Sequence, residues 1–384
     1  MPAGVPEMDQ MIGNSKKSVR TKKVKDTLII KLDREKPDLE KLGICAEVIR
    51  KGGLVCFPTE TVYGLGASAF DPLAVKKIFE AKGRPADNPL IVHIDDGEKL
   101  NLVCSGGGEQ RKRIKLLAEE FWPGPLTMIA DRDPAVPDEV SCGLPTVGIR
   151  MPDNRIAREL IRLSGVPIAA PSANLSGKPS PSAAEHVIAD LFGRVDVIID
   201  GGDCDVGVES TVLDITGKVP AILRPGAVTL EDVVRVLGKG ELPDWKKAPA
   251  KGERPRSPGM KYTHYSPDAE VRLYDGEDVA AVRGRIAKDA EKLADSGKKV
   301  GILTTDEGIG SYDQERFTVI SAGSRSDLLT VAHSLYGALR DFDRAGTDVV
   351  LAEAYPQNGV GNAVMNRLYR AAGGCVINAG AEKN

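Results

Sequence analysis

A chain of 384 residues with 41% hydrophobic content is long enough for two or three packed cores. Its formal net charge of -3 gives no global pull toward nucleic acid or a membrane surface. No apolar run approaches the length of a bilayer span, and the first residues lack the apolar stretch of a signal peptide.

Residues 1–27 read as a basic tail. Lys16, Lys17, Arg20, Lys22, Lys23 and Lys25 crowd a stretch with too few apolar residues to order itself. It is either an RNA-contacting arm or a solvated extension, and the second is the commoner fate of a basic run in an acidic protein. From Leu28 onward, strand and helix patterns alternate to about residue 238. Leu54–Phe57 is a short apolar run entering a Thr-rich turn. Asp71-Pro72 marks a helix start, Val75, Ile78 and Phe79 its apolar face, and Gly83 its left-handed end. Leu90–Ile94, Leu126–Ala130 and Thr146–Arg150 are predicted strands, with a helix through Ile114 and Leu117 between the first two. Ser182 and Glu185 suggest a capping box for a helix ending near Phe192. Val195–Asp200 and Ser210–Ile215 are strands again, and Thr229 caps a helix through Leu237. Elements so interleaved define an α/β domain.

Residues 239–267 break this pattern. Pro243, Pro249, Pro255, Pro258 and Pro267 among lysines and glycines describe a semi-rigid connector. Residues 268–384 then form a second α/β unit, with strands at Val271–Tyr274, Val300–Thr304, Phe317–Ile320 and Val349–Ala352 and a helix over Leu328–Phe342. That order predicts a small parallel sheet with Rossmann-like alternation.

Two short runs carry chemistry. Lys82-Gly83-Arg84-Pro85 places two cations around a glycine at a helix exit, where both are expected to face solvent. Pro171-Ser172-Ala173-Asn174 places a hydroxyl and an amide on a turn. Charged and small polar donors together suit a polyphosphate. Taken alone, the first is equally the cationic end of a helix favoured by its dipole, and the second an ordinary turn. The Gly-Lys pairs are followed by Pro179, Val219, Gly240 and Lys299, never by Ser or Thr, so there is no Walker A loop. Six cysteines form no C-x-x-C, and His93, His186, His264 and His333 are dispersed; a reduced, cytoplasmic protein without a zinc site is the simplest reading.

The flanking sequence is more specific. Pro58-Thr59-Glu60-Thr61-Val62-Tyr63-Gly64-Leu65-Gly66 precedes Ile78-Phe79-Glu80-Ala81-Lys82-Gly83-Arg84-Pro85 and Asn88-Pro89-Leu90-Ile91-Val92-His93. Trp122-Pro123-Gly124-Pro125-Leu126-Thr127, Thr146-Val147-Gly148-Ile149-Arg150-Met151-Pro152 and Ala170-Pro171-Ser172-Ala173-Asn174-Leu175-Ser176-Gly177 follow in order. From about Leu54 to Gly226 the chain resembles the Sua5/YrdC family, threonylcarbamoyl-adenylate synthases of tRNA modification. Ser257-Pro258-Gly259-Met260-Lys261-Tyr262-Thr263-His264-Tyr265-Ser266-Pro267 is similar to the linker of its two-domain Sua5 type.

The resemblance implies a twisted, mixed, concave sheet with the site in the concavity. It also implies a reaction joining L-threonine, bicarbonate or CO2, and ATP into threonylcarbamoyl-AMP and pyrophosphate, with Mg2+ carried by the nucleotide. Lys82, Arg84, Ser172 and Asn174 match its catalytic elements. Arg84, Asn88, Thr146, Ser172, Ser180 and Arg224 match nucleotide contacts, and Thr61, His93, Arg150 and Ser210 match threonine contacts. Without the resemblance, His93 would read as a core histidine and Arg224 as a surface arginine at a strand end. Tyr262, His264 and Tyr265 are either a lid over the cleft or a loop packed between domains; some relatives carry arginine where this chain has Thr263. The product would pass to a separate tRNA threonylcarbamoyl transferase complex, so direct tRNA binding is not required. Two other readings remain. A carbamoyl-adenylate-forming relative would need paired C-x-x-C modules that are absent here; an RNA-binding module would use a basic cleft without catalysis.

Overall fold

The computed structural model describes residues 25–246, 255–257 and 265–379. The first domain is built on β1 (Leu28–Lys31), β2 (Val55–Phe57), β3 (Gly64–Ser68), β4 (Ile91–His93), β5 (Leu126–Asp131), β6 (Thr146–Arg150), β7 (Ile168–Ala170), β8 (Val197–Asp200), β9 (Thr211–Asp214) and β10 (Ala221–Arg224). They form one mixed sheet in the order β1-β8-β2-β3-β7-β4-β6-β5-β9-β10. Sequence patterning did not separate β3 and β7 from their turns, because both are short and rich in Gly, Ala and Ser. They pair with each other at the centre of the sheet, Ala67 opposite Ala169.

Side-chain alternation explains how helices cover both faces. On β2, Val55 and Phe57 join a core with α1 (Leu39–Arg50) and α5 (Arg155–Ser164), whereas Cys56 joins the opposite core. That second core takes α2 (Pro72–Lys82), α3 (Gly108–Phe121), α6 (Ala184–Leu191) and α7 (Leu230–Leu237). Thr229 caps α7 as expected, and with Asp232 it makes a capping box. Ser182 does not cap α6: the N-cap is Ala183, without a side-chain bond, and the Ser182 carbonyl instead accepts from the Cys204 amide at 2.8 Å. Of the basic tail, residues 1–24 lie outside the described residues, while the Lys25 amide donates to Gly193 and the Thr27 hydroxyl to Val195.

The second domain has β11 (Glu270–Asp275), β12 (Val300–Thr304), β13 (Thr318–Ser321), β14 (Val349–Glu353) and β15 (Val376–Asn378). All pair in parallel, in the order β13-β12-β14-β11-β15, as the Rossmann-like alternation predicts. One face is covered by α8 (Val279–Asp295), the other by α9 (Leu328–Ala345) and α10 (Gly361–Ala371). The α9–α10 core extends into the first domain through Val62 and Val208 and takes in Tyr265. Beside them the domains meet backbone to backbone: a β-carbon on Gly207, itself at φ 76°, would lie 2.3 Å from the His333 carbonyl oxygen. Tyr262 and His264 of the linker lie outside the described residues. Among those that are described, Glu241 bridges to Ala221, and Ser257 and Tyr265 are buried.

Candidate active site

The way α2 ends places the first cations. Asp71 accepts from the Leu73 and Ala74 amides, Pro72 follows, and Gly83 closes the helix at φ 62°, a conformation that strains other residues. Lys82 therefore occupies the last turn and Arg84 lies just beyond the reversal. Lys82 is 3% exposed, which corrects the expectation of a solvent-facing side chain. Its Nζ donates to the carbonyls of Ser172 at 2.5 Å and Asn174 at 2.6 Å. Burial, and then the Arg84 charge, bring its pKa down to about 7, so ammonium and amine forms coexist near neutrality. Arg84 is half-buried, donates to the Asn88 carbonyl at 2.7 Å and lies over the Phe79 ring.

The chain leaving β7 supplies the second motif. Ser172 bridges to Gly64, and its hydroxyl donates to Asn174 Oδ1 at 2.6 Å. The Asn174 amide donates to the carbonyls of Leu175 and Lys178 at 2.7 and 2.9 Å. Asn174 thus spends its donors on the shape of the loop, and that shape aims two carbonyls at Lys82.

On the adjoining strands, His93 of β4 stands directly opposite Arg150 of β6. Arg150 Nη2 lies 2.7 Å from Glu60 Oε1, and both residues are buried. Nη2 and both Glu60 oxygens make no hydrogen bond, so the pair is held by charge alone, while Arg150 Nε donates to the Gly124 carbonyl at 3.3 Å. His93 Nδ1 also lacks a partner. Burial, and then the Arg150 charge, hold the imidazole pKa down at about 3; His93 is a neutral polar group here.

The far wall comes from β9 and β10. Arg224 donates from Nε and Nη2 to the Ser210 carbonyl at 3.1 and 2.9 Å, and the Ser210 hydroxyl meets that of Thr127 at 2.8 Å. Ser180 donates to Glu209. Burial works to raise the Glu209 pKa, but the cations Arg367 and Arg224 and the Ser180 bond outweigh it and hold the carboxyl below its usual range.

These groups line one cleft. It brings together Lys82, Arg84, His93, Arg150, Ser172, Asn174, Ser180, Ser210, Arg224 and Tyr265. Thr61, Asn88 and Thr146 do not line it. Thr61 is wholly buried against Thr59, Asn88 is buried with its amide unpartnered, and Thr146 lines a small neighbouring cavity with Thr127 and Arg256. Sequence reasoning passed over Glu60 and Glu209, each next to a residue it did select; Glu209 sits in the mixed run Val208-Glu209-Ser210-Thr211-Val212, which carries no local signal for it. The cleft carries Lys82, Arg84, Arg150, Lys178 and Arg224 against the acid Glu209. Fold and site together define an α/β protein with a cation-rich cleft.

Known proteins agree. A family model described as telomere recombination, that of Sua5, YciO and YrdC, matches residues 47–226, and that of the threonylcarbamoyl-AMP synthase C-terminal domain matches residues 228–373. The chain belongs to the Sua5 family. It is 47% identical to the threonylcarbamoyl-AMP synthase of Pyrococcus abyssi, over 91% of this chain and 99% of that protein. The enzyme so named from Bacillus subtilis is 49% identical, over 88% and 94%. The crystal structure of Pyrococcus abyssi Sua5 complexed with L-threonine superposes with a TM-score of 0.85, covering 92% of this chain and 99% of that one at 47% identity.

Proposed function

We propose that the cleft joins L-threonine, bicarbonate or CO2, and ATP into threonylcarbamoyl-AMP, releasing pyrophosphate. The chain is an enzyme of the threonylcarbamoyl-AMP synthase type, with relatives of that name matching nearly all of it. The observation that carries the division of labour within the cleft is the Arg150–His93 pair, a cation and a neutral imidazole on adjacent strands, lining the same cleft as Lys82 and Arg84 at the exit of α2.

In this reading Arg150 takes the threonine carboxylate with a planar fork, and neutral His93 contacts the substrate without adding charge. The threonine amine becomes a carbamate, whose oxygen attacks the α-phosphorus while pyrophosphate departs. Both steps gather negative charge, so fixed cations serve better than a strong base. Lys82, Arg84 and Arg224 neutralise the phosphates, and Ser180 fixes their geometry. Ser172 and Asn174 act by building the loop that holds Lys82. Magnesium comes with the nucleotide: the acid lining the cleft, Glu209, is already engaged by Ser180, Tyr336 and Arg367. The product serves N6-threonylcarbamoyladenosine formation in tRNA by way of a separate transferase, in the cytoplasm. Among the described residues, no helix is long and apolar enough to cross a membrane.

The test is pyrophosphate release with ATP, leaving out threonine and bicarbonate in turn. Release should require both, and release indifferent to either omission overturns the reading. Salt-sensitive RNA binding without any pyrophosphate release would favour a binding module instead.

A further inference from the structure

We propose that Tyr336 and Arg367, both from the second domain, position the ATP-binding groups of the first domain through Glu209. The inference rests on the assignment of Ser180 and Arg224 to the nucleotide.

Glu209 is the point where the two domains share a hydrogen-bond network. One carboxylate oxygen accepts from the Ser180 hydroxyl. The other accepts from the Tyr336 hydroxyl at 2.8 Å and from Arg367 Nε at 3.0 Å. Tyr336 lies on α9 and Arg367 on α10, and both are wholly buried. Arg367 reaches further: Nη1 donates to the Pro225 carbonyl at 2.5 Å and Nη2 to the Glu209 carbonyl at 3.2 Å. A single guanidinium from the second domain therefore grips both the segment that presents Ser210 and the residue following Arg224. The last described part of the linker closes the cluster. The Tyr265 ring stands 5.4 Å from that of Tyr336 and beneath Arg367, with its backbone at φ 66°, a strained conformation that persists only where packing fixes it.

Charge explains why this arrangement bears on the cleft and not on packing alone. Arg224 and Arg367 are like charges facing one buried carboxylate. A carboxylate held from both sides cannot rotate, so the hydroxyl direction of Ser180 is set before substrate arrives, while Arg367, bonded to the Glu209 and Pro225 carbonyls, fixes the backbone on either side of the Ser210–Arg224 contact. An apolar residue at position 367 would fill the same space and fix neither group. Tyr336 and Arg367 touch no substrate in this account; they are positioning residues.

The test uses the full chain and the pyrophosphate-release assay, reading KM for ATP and for threonine together with the thermal midpoint. Tyr336→Phe keeps the ring and removes one donor. It should raise the ATP KM about three- to tenfold, as loss of one hydrogen bond does, with the threonine KM unchanged within about twofold. Arg367→Lys should raise the ATP KM further, because an ammonium cannot span Glu209 and Pro225. Combining Tyr336→Phe with Ser180→Ala should weaken ATP no more than Ser180→Ala alone, since both act through one contact. An unchanged ATP KM in Tyr336→Phe, with only the thermal midpoint lowered, overturns the inference and leaves a structural role. Should Arg367→Lys fail to fold, Tyr336→Phe alone decides. Ser180→Ala and Arg224→Gln separate the two levels of argument. If they leave ATP unaffected, the nucleotide assignment fails; if they weaken ATP and the second-domain variants do not, only this inference fails.

Discussion

Lys82 carries a proton whose presence depends on what fills the cleft. Its pKa of about 7 comes from burial and the Arg84 charge, and a polyphosphate placed beside it favours the charged form. ATP affinity should therefore be highest below the Lys82 pKa and fall as pH rises through it. Above that pKa, ATP binding should take up a proton. The calorimetric enthalpy of binding should then vary with the ionisation enthalpy of the buffer, and that dependence should disappear in Lys82→Met. A wild-type enthalpy insensitive to buffer would refute the coupling. Turnover of Lys82→Ala should fall roughly 10²–10³-fold, the usual loss on removing one preorganised donor. At the proposed threonine end, Arg150→Ala would leave Glu60 as a buried, unpaired charge, so its kinetics would mix binding with folding. Arg150→Lys retains the cation and loses the fork. It should raise the threonine KM by about tenfold or more with the ATP KM unchanged, and an equal loss for both substrates would place Arg150 on the nucleotide instead.

Among the elements, the legible parts of the sequence were those whose chemistry is local. Asp71, Pro72 and Gly83 mark both ends of α2 within a dozen residues, and all three take the roles their side chains imply. Thr229 does the same for the start of α7. Ser182 had the same local credentials and does not cap: its carbonyl accepts from the Cys204 amide, and Ala183 is the N-cap. The burial of Lys82 was hidden for a related reason: the carbonyls that receive it lie about ninety residues away. Glu209 was harder still, since its partners Tyr336 and Arg367 belong to another domain, and no spacing rule links them. The linker belongs to this scale as well. The Ser266 amide donates to the Gly177 carbonyl at 2.9 Å, which joins the linker's end to the loop between Asn174 and Ser180. ATP and threonine together should then slow hydrogen exchange between residues 260 and 266, as exclusion of water from a hydrolysable acyl-adenylate requires. Identical exchange with and without them would reduce the segment to a spacer.

Taken whole, the molecule is fastened by buried charge as well as by apolar contact. Arg340 of α9 donates to Asp190 of α6 at 2.8 Å and to the Pro179 carbonyl at 2.5 Å. Nearer the surface Lys178 pairs with Asp268 and Asp343, and Val62 and Val208 lie in the second domain's core. The two domains should therefore unfold in one calorimetric transition. Arg340→Ala should lower stability by about 3 kcal/mol, the cost of leaving a buried carboxylate without its cation; two separate transitions in the parent chain would contradict this. Gly207 shows how fine the fit is. With no side chain there, the loop leading to Glu209 rests directly on the His333 backbone, so the clearance between the domains is set by a single hydrogen atom. A methyl group at that position would act as a shim, two residues from the carboxylate that Ser180 and Arg367 share. The cleft inherits this tolerance: its dimensions are governed partly by how closely two backbones can approach, a distance that no residue lining it controls.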